Sequence, residues 1–210
     1  MNAVFAPHRV TVVVTATDGL SDDASRARVL TAAAGVVGVE PDGLQLGHEV
    51  NGRPHLFGLG GGAHVSLSHG RGVAALALTG LGPLGVDVEV ERPVRAQRMA
   101  DRWFTAVEAA WVRSQPERER VAAFFWLWTH KEAMGKAYGT GLGCGGLLRP
   151  GPIPAIRPLR LSQQSRLYPL PDLAELVVAA PFVDRRVMLA VAVLGRHARG
   201  APVDVHLRPP

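Results

Sequence analysis

The stretch Phe124-Phe-Trp-Leu-Trp-Thr-His-Lys-Glu-Ala-Met-Gly-Lys-Ala-Tyr-Gly-Thr-Gly-Leu142 constrains the fold more than any other. It reads as an amphipathic helix with a glycine stop at Gly139 and Gly141. On such a helix Trp128, Glu132 and Lys136 stand at i, i+4 and i+8 and share one face. Of 23 basic residues only two, Lys131 and Lys136, are lysines. Lysine is a compact charge whose pKa moves on burial, so it can give up a proton where arginine cannot. Two lysines inside this helix and none elsewhere point to chemistry. The plainer alternative is a surface Glu–Lys pair, which contributes only about 0.3–0.5 kcal/mol.

A chain of 210 residues makes one domain or two small ones, with room for a real core. Its 47% hydrophobic and 20% charged residues exclude a disordered or fibrous class. One cysteine, Cys144, excludes an internal disulfide framework, and a reducing, cytoplasmic setting is expected. Val10 to Val14 is too short and β-branched for a signal peptide. The uncharged stretch Gly72 to Val86 is broken by Gly80, Gly82, Pro83 and Gly85, so no membrane span is expected. The net charge of +5 is uneven: residues 1–82 carry five Arg against six acids, residues 83–210 carry 18 Arg and Lys against 12. A basic half favours an acidic partner. Aromatic–basic interleaving is missing from the sequence, which argues against nucleic acid.

In chain order, Val10 to Thr15 predicts a strand, and Ser21 caps a helix from Asp22 to about Ala34 that carries Arg26 and Arg28. Those arginines read as solvated charges or as a phosphate clamp. Asn51-Gly-Arg-Pro54 is a turn, with Arg53 held extended before Pro54, and Gly58 to Gly62 is a flexible loop. Val65 to Thr79 predicts a hairpin whose turn gathers Ser68, His69 and Arg71. The glycine- and proline-rich link Gly80 to Gly85 marks a boundary. Val86, Val88 and Val90 then alternate with Asp87, Glu89 and Glu91, which predicts a strand with three acids on one face. Such a face is either a solvated edge or a seat for a hard divalent cation.

Arg95, Arg98 and Arg102 form a basic stripe if helical, and Thr105 with Glu108 predicts a capping box. After a proline-rich stretch ending in Leu159-Arg-Leu, two strands follow, from Glu175 and from Arg186, joined by residues 181–185. Residues 196–210 are expected to be a disordered tail. Each half therefore contains a helix followed by a strand hairpin.

The order Asn51-Gly-Arg-Pro54, Ser66-Leu-Ser-His69, Gly85-Val-Asp-Val-Glu89, Phe104-Thr-x-x-Glu108, Trp128-Thr-x-Lys-Glu-Ala-x-x-Lys136 and Gly139-x-Gly-Leu142 resembles the 4′-phosphopantetheinyl transferases. The likeness is to the larger pseudodimeric type, which serves polyketide and non-ribosomal peptide pathways. It covers roughly residues 20–195. The resemblance implies an α/β (α+β) fold of two similar subdomains in pseudo-twofold arrangement. Each would be a small, mainly antiparallel sheet packed with helices, with the active site in the cleft between them. The boundaries would be 1–82 and 83–195. It implies a cytoplasmic monomer that moves phosphopantetheine from coenzyme A to a serine of an acidic acyl or peptidyl carrier protein, with Mg²⁺ or Mn²⁺. Asp87, Glu89 and Glu132 match the metal ligands. Glu132 and Lys136 match the catalytic pair. Arg53, Pro54, Ser68, His69, Asp87 and Lys136, with Arg26 and Arg28 from the first helix, are the coenzyme A contacts. The family often has Lys at Arg53 and Ser at Gly70. A non-catalytic binder of acidic protein or nucleic acid, or another Mg²⁺-dependent phosphate enzyme, is the alternative.

Overall fold

Seven β-branched and small residues, Val10–Ala16, form the first strand, β1. The computed structural model of the protein describes residues 6–50, 52–59, 62–143, 145–154 and 165–208. Asn51, part of the Gly58–Gly62 loop, Cys144 and the Leu159-Arg-Leu segment lie outside them. Helix α1, Asp22–Val37, starts where Ser21 accepts from the Ala24 N–H and stops at left-handed Gly38. A small hairpin pairs β2, Gln45–His48, with β3, Pro54–Phe57. The predicted hairpin is β4, His64–Gly70, and β5, Val73–Thr79.

The second half opens on β6, Leu84–Val90, then runs through α2, Ala96–Trp103, and α3, Ala106–Arg113, to α4, Arg120–Tyr138. The capping box on α3 forms as read: Thr105 accepts from the Glu108 N–H, and Glu108 accepts from the Thr105 N–H. Three strands follow, β7 at Tyr168–Leu170, β8 at Leu173–Ala179 and β9 at Val187–Leu194. Glu91 falls beyond the end of β6, and its N–H donates to the Arg186 carbonyl. Only Asp87 and Glu89 therefore belong to the acidic face of the strand.

The two halves repeat one connection. β1 pairs antiparallel with β5, which pairs with β4; β6 pairs antiparallel with β9, which pairs with β8. The expectation of a disordered end at 196–210 is corrected. Val203–Arg208 forms a last strand, β10, parallel to β1 and tied by an Arg9–Asp204 ion pair of 2.6 Å. Joining an existing strand gives its backbone groups partners that a free tail would leave to water.

One apolar cluster runs through both four-stranded sheets, from Val10, Val12 and Val14 through Val86 and Val88 to Val191 and Val193. β4 and β6 each end their own sheet, so their facing backbone groups lack ladder partners. Two serines supply them: Ser66 and Ser68 hydroxyls accept from the Val86 and Val88 N–H at 3.0 and 3.3 Å. α4 lies directly on β6. A Cβ at Gly85 would overlap the Ala133 carbonyl oxygen and reach 2.7 Å from the Ala137 nitrogen. Glycine is what lets helix and strand backbones meet there.

α4 is the element everything else closes around. From Ala122 to Ala137 every residue is buried except Trp128, Glu132 and Lys136. Phe124, Phe125, Leu127 and Met134 are among its fully buried side chains, each worth about 1.5–3 kcal/mol against exposure. His130 is buried too. Its Nδ1–H donates to the Trp126 carbonyl at 2.8 Å, its Nε2 has no partner, and burial pushes its pKa down to about 4. The unfolded chain takes up a proton below about pH 6.5, whereas the folded one does so only near pH 4. Stability is therefore expected to fall as pH drops through that window, by about 3 kcal/mol at the bottom of it. Urea midpoints of wild type and His130→Leu at pH 7 and 4.5 check this. The variant should lose part of the acid sensitivity, and identical pH slopes would contradict it.

Candidate active site

The open stripe of α4 meets β6 at Asp87. The Lys136 ammonium donates to Asp87 Oδ1 at 2.7 Å and to the Val86 carbonyl at 3.0 Å. Ser68 donates to the same Oδ1 at 2.6 Å. Asp87 is 5% exposed, so the solvated-edge reading of this strand does not hold for it. Burial pushes its carboxyl up, and Lys136 and Ser68 pull it back in part. Glu132, one turn from Lys136, is also pushed up, by burial first and by the Asp87 charge second. Glu89 adds to both effects, which puts all three carboxylates within one another's field.

A cleft of about 700 Å³ opens beside this cluster, a size suited to a small-molecule site. Arg26, Arg53, Pro54, Ser68, His69 and Lys136 line it. Arg53 crosses from the first half to cap the end of α4, donating to the Ala137 carbonyl at 3.0 Å. It lies so close to Gly139, which is left-handed at φ 75°, that any side chain there would strike the guanidinium. His69 Nε2 stands 3.7 Å from Asp22, and Arg26 stands 3.9 Å from Asp23, so both side chains face the first turn of α1.

Not every expected residue arrives. Arg28 is not among the cleft residues; it donates to the Ala16 carbonyl and ties α1 to β1. Ser68 lines the cleft, but its hydroxyl is committed to Asp87 and Val88. Gly70 has a packing reason: a Cβ there would come 2.9 Å from the Val88 carbonyl, so glycine lets β4 close on β6. Lys131, grouped with Lys136 by composition, turns away into the core and pairs with Glu108 at 2.7 Å. Sequence reasoning also passed over His48, His55 and His64, which line the cleft from β2, β3 and β4. Lone histidines in short strands carry no periodic signal.

Asp87, Glu89 and Glu132 present the hard oxygen donors a divalent cation takes. Among the described residues no group of three or more His, Cys, Asp or Glu is drawn close enough to cage one. The fit rests on Asp87 Oδ2, a buried carboxylate oxygen with no hydrogen-bond partner. An ion there would satisfy that oxygen and relieve the repulsion among the three acids.

Residues 83–165, which carry Asp87, Glu89, Glu132 and Lys136, match the 4′-phosphopantetheinyl transferase superfamily. Over that stretch the chain is similar to the 4′-phosphopantetheinyl transferases. It is 33% identical over 122 residues to 4′-phosphopantetheinyl transferase HetI of Nostoc sp., covering 57% of this chain and 52% of that one. It is 30% identical over 114 residues to a 4′-phosphopantetheinyl transferase of Bacillus subtilis, covering 54% and 50%. A third relative, 4′-phosphopantetheinyl transferase psf-1 of Bacillus pumilus, is 37% identical over 82 residues, covering 39% and 34%. The matched part thus spans about half the length of the first two relatives. The described residues form a mixed α/β chain of small, mainly antiparallel sheets and helices. Among the described residues no helix is long and apolar enough to cross a membrane.

Proposed function

We propose that this protein transfers the 4′-phosphopantetheine group of coenzyme A to a serine hydroxyl of an acyl or peptidyl carrier protein. Subdomains 1–82 and 83–195 meet at the cleft, and Asp87, Glu89 and Glu132 hold Mg²⁺ or Mn²⁺. The carrying observation is that the single open stripe of α4, Trp128–Glu132–Lys136, ends on the buried carboxylate of β6.

The serine oxygen attacks the β-phosphorus. The bond from that phosphorus to the bridging oxygen breaks, and adenosine 3′,5′-bisphosphate leaves. Such a step asks a protein mainly for positioning and charge neutralisation. A bound divalent ion supplies a Lewis acid for the diphosphate oxygens. Glu132, its pKa raised by burial, is suited to take the serine proton. Lys136 neutralises the phosphate that leaves, exchanging its bond to Asp87 for one to the diphosphate. Arg26, Arg53 and His69 hold the remaining phosphate charge along the cleft. Release of adenosine 3′,5′-bisphosphate in the presence of apo carrier protein, and none in its absence, is expected. Release without carrier would favour a hydrolase instead.

The carrier is acidic in this reading and meets α2. Arg95, Arg98 and Arg102 are all exposed there, with no ion pair among the described residues. Reversing two of these charges, Arg95→Glu with Arg98→Glu, should raise KM for the carrier about tenfold. KM for coenzyme A should stay unchanged in the same steady-state titrations. Equal changes in both would reject the dock.

A further inference from the structure

Arg92 stands just past β6, and nothing in the reaction above calls on it. Its Nη1 donates to Glu89 Oε2 at 2.7 Å and to the Val90 carbonyl at 3.2 Å. Its guanidinium lies 4.7 Å from the centre of the Phe125 ring on α4. The Val90 and Phe125 contacts hold the cation in place whether or not Glu89 stays bonded to it. Glu89 is 16% exposed and Arg92 33%, so the pair is partly shielded from solvent screening.

Asp87 has Lys136 as its internal counter-ion and Glu89 has Arg92. Lys136 reaches into the cleft and can move to a phosphate; Arg92 is not among the cleft residues. Three carboxylates and two cations leave a net charge of −1, and without Arg92 the balance would be −2, matched to a divalent ion.

We propose that Arg92 is a built-in competitor for the metal, a positioning residue that occupies Glu89 and keeps cation affinity low until diphosphate arrives. This rests on the divalent-ion reading of Asp87, Glu89 and Glu132. With Arg92 in place, the ion gains full hold only together with the phosphate charge, so metal and coenzyme A strengthen each other's binding.

The test is direct binding of Mn²⁺, read by the loss of its free EPR signal, to the full chain with and without coenzyme A. Arg92→Gln should bind Mn²⁺ alone on the order of tenfold more tightly than wild type, with a smaller gain on adding coenzyme A. Arg92→Lys, which keeps the charge, should behave as wild type, and melting curves confirm that each variant is folded. Equal or weaker Mn²⁺ binding by Arg92→Gln, with wild type still binding the ion, would overturn the role of Arg92 alone. Weaker binding would mean that Arg92 orients Glu89 towards the ion. If neither protein takes up Mn²⁺ even with coenzyme A, the divalent-ion reading itself fails.

Discussion

Glu132→Gln is expected to lower phosphopantetheine transfer by roughly two to four orders of magnitude while leaving the melting temperature near that of wild type. The amide keeps the size of the side chain and fills its place beside Trp128, but cannot accept a proton or match a cation's charge. Among the described residues no hydrogen bond of the fold uses the Glu132 carboxylate, and burial with neighbouring acids already pushes that carboxylate towards protonation. Neutralising it should cost little stability.

Lys136 is different because it has a structural duty as well. Its removal leaves Asp87, a buried carboxylate, with Ser68 as its one remaining side-chain partner. Lys136→Ala should therefore lose both transfer and stability. Lys136→Arg separates the two: a guanidinium can stay paired with Asp87, yet its bulk and fixed fork do not reproduce the ammonium. The expected result is a melting temperature close to wild type with transfer still strongly reduced. Full transfer by Lys136→Arg would leave Lys136 with charge alone as its contribution.

The second large effect is on stability, far from the cleft. Lys131 is 0% exposed and Glu108 3%, with 2.7 Å between Nζ and Oε1. Lys131 also donates to the Arg149 carbonyl at 2.6 Å and stands 5.3 Å from the Phe104 ring. Glu108 is fully engaged: it accepts from the Gly151 N–H at 2.7 Å and from the Thr105 N–H and hydroxyl at 2.9 Å. Three elements, α3, α4 and the segment after α4, are pinned at one point. Lys131→Met strands a buried carboxylate and should cost about 3–5 kcal/mol. For a chain of this size that is a drop in melting temperature on the order of 10 °C. Glu108→Gln in the same protein removes the stranded charge and keeps an acceptor for the capping box, so the double variant should recover much of the loss. An unchanged midpoint in Lys131→Met would contradict the pin.

How much of this was legible depended on the range of the interaction. The open face of α4, the Thr105–Glu108 capping box, both hairpins and the shared facing of Asp87 and Glu89 all follow from spacings of two to four residues. Local periodicity reports those directly. Burial of Asp87 was not legible, because it depends on β4 bringing Ser68 across to β6. Lys131 and Lys136 look alike in composition, yet five positions on a helix turn one into the core and the other into the cleft. Nothing local announces Glu108 as the partner of the first. Arg28 has the composition of a phosphate clamp and spends its guanidinium on a carbonyl at the end of β1. The end of the chain shows the same limit. Val203, Val205 and Leu207 do alternate with polar residues, but their partner β1 lies at the opposite end of the sequence.

The most direct measurement is the intact mass of an apo carrier protein after incubation with this protein, coenzyme A and Mg²⁺. The account predicts a gain of one phosphopantetheine arm on a serine, lost when coenzyme A is omitted and nearly lost with Glu132→Gln. An unmodified carrier, across several acyl and peptidyl carriers and with folded enzyme, would contradict it.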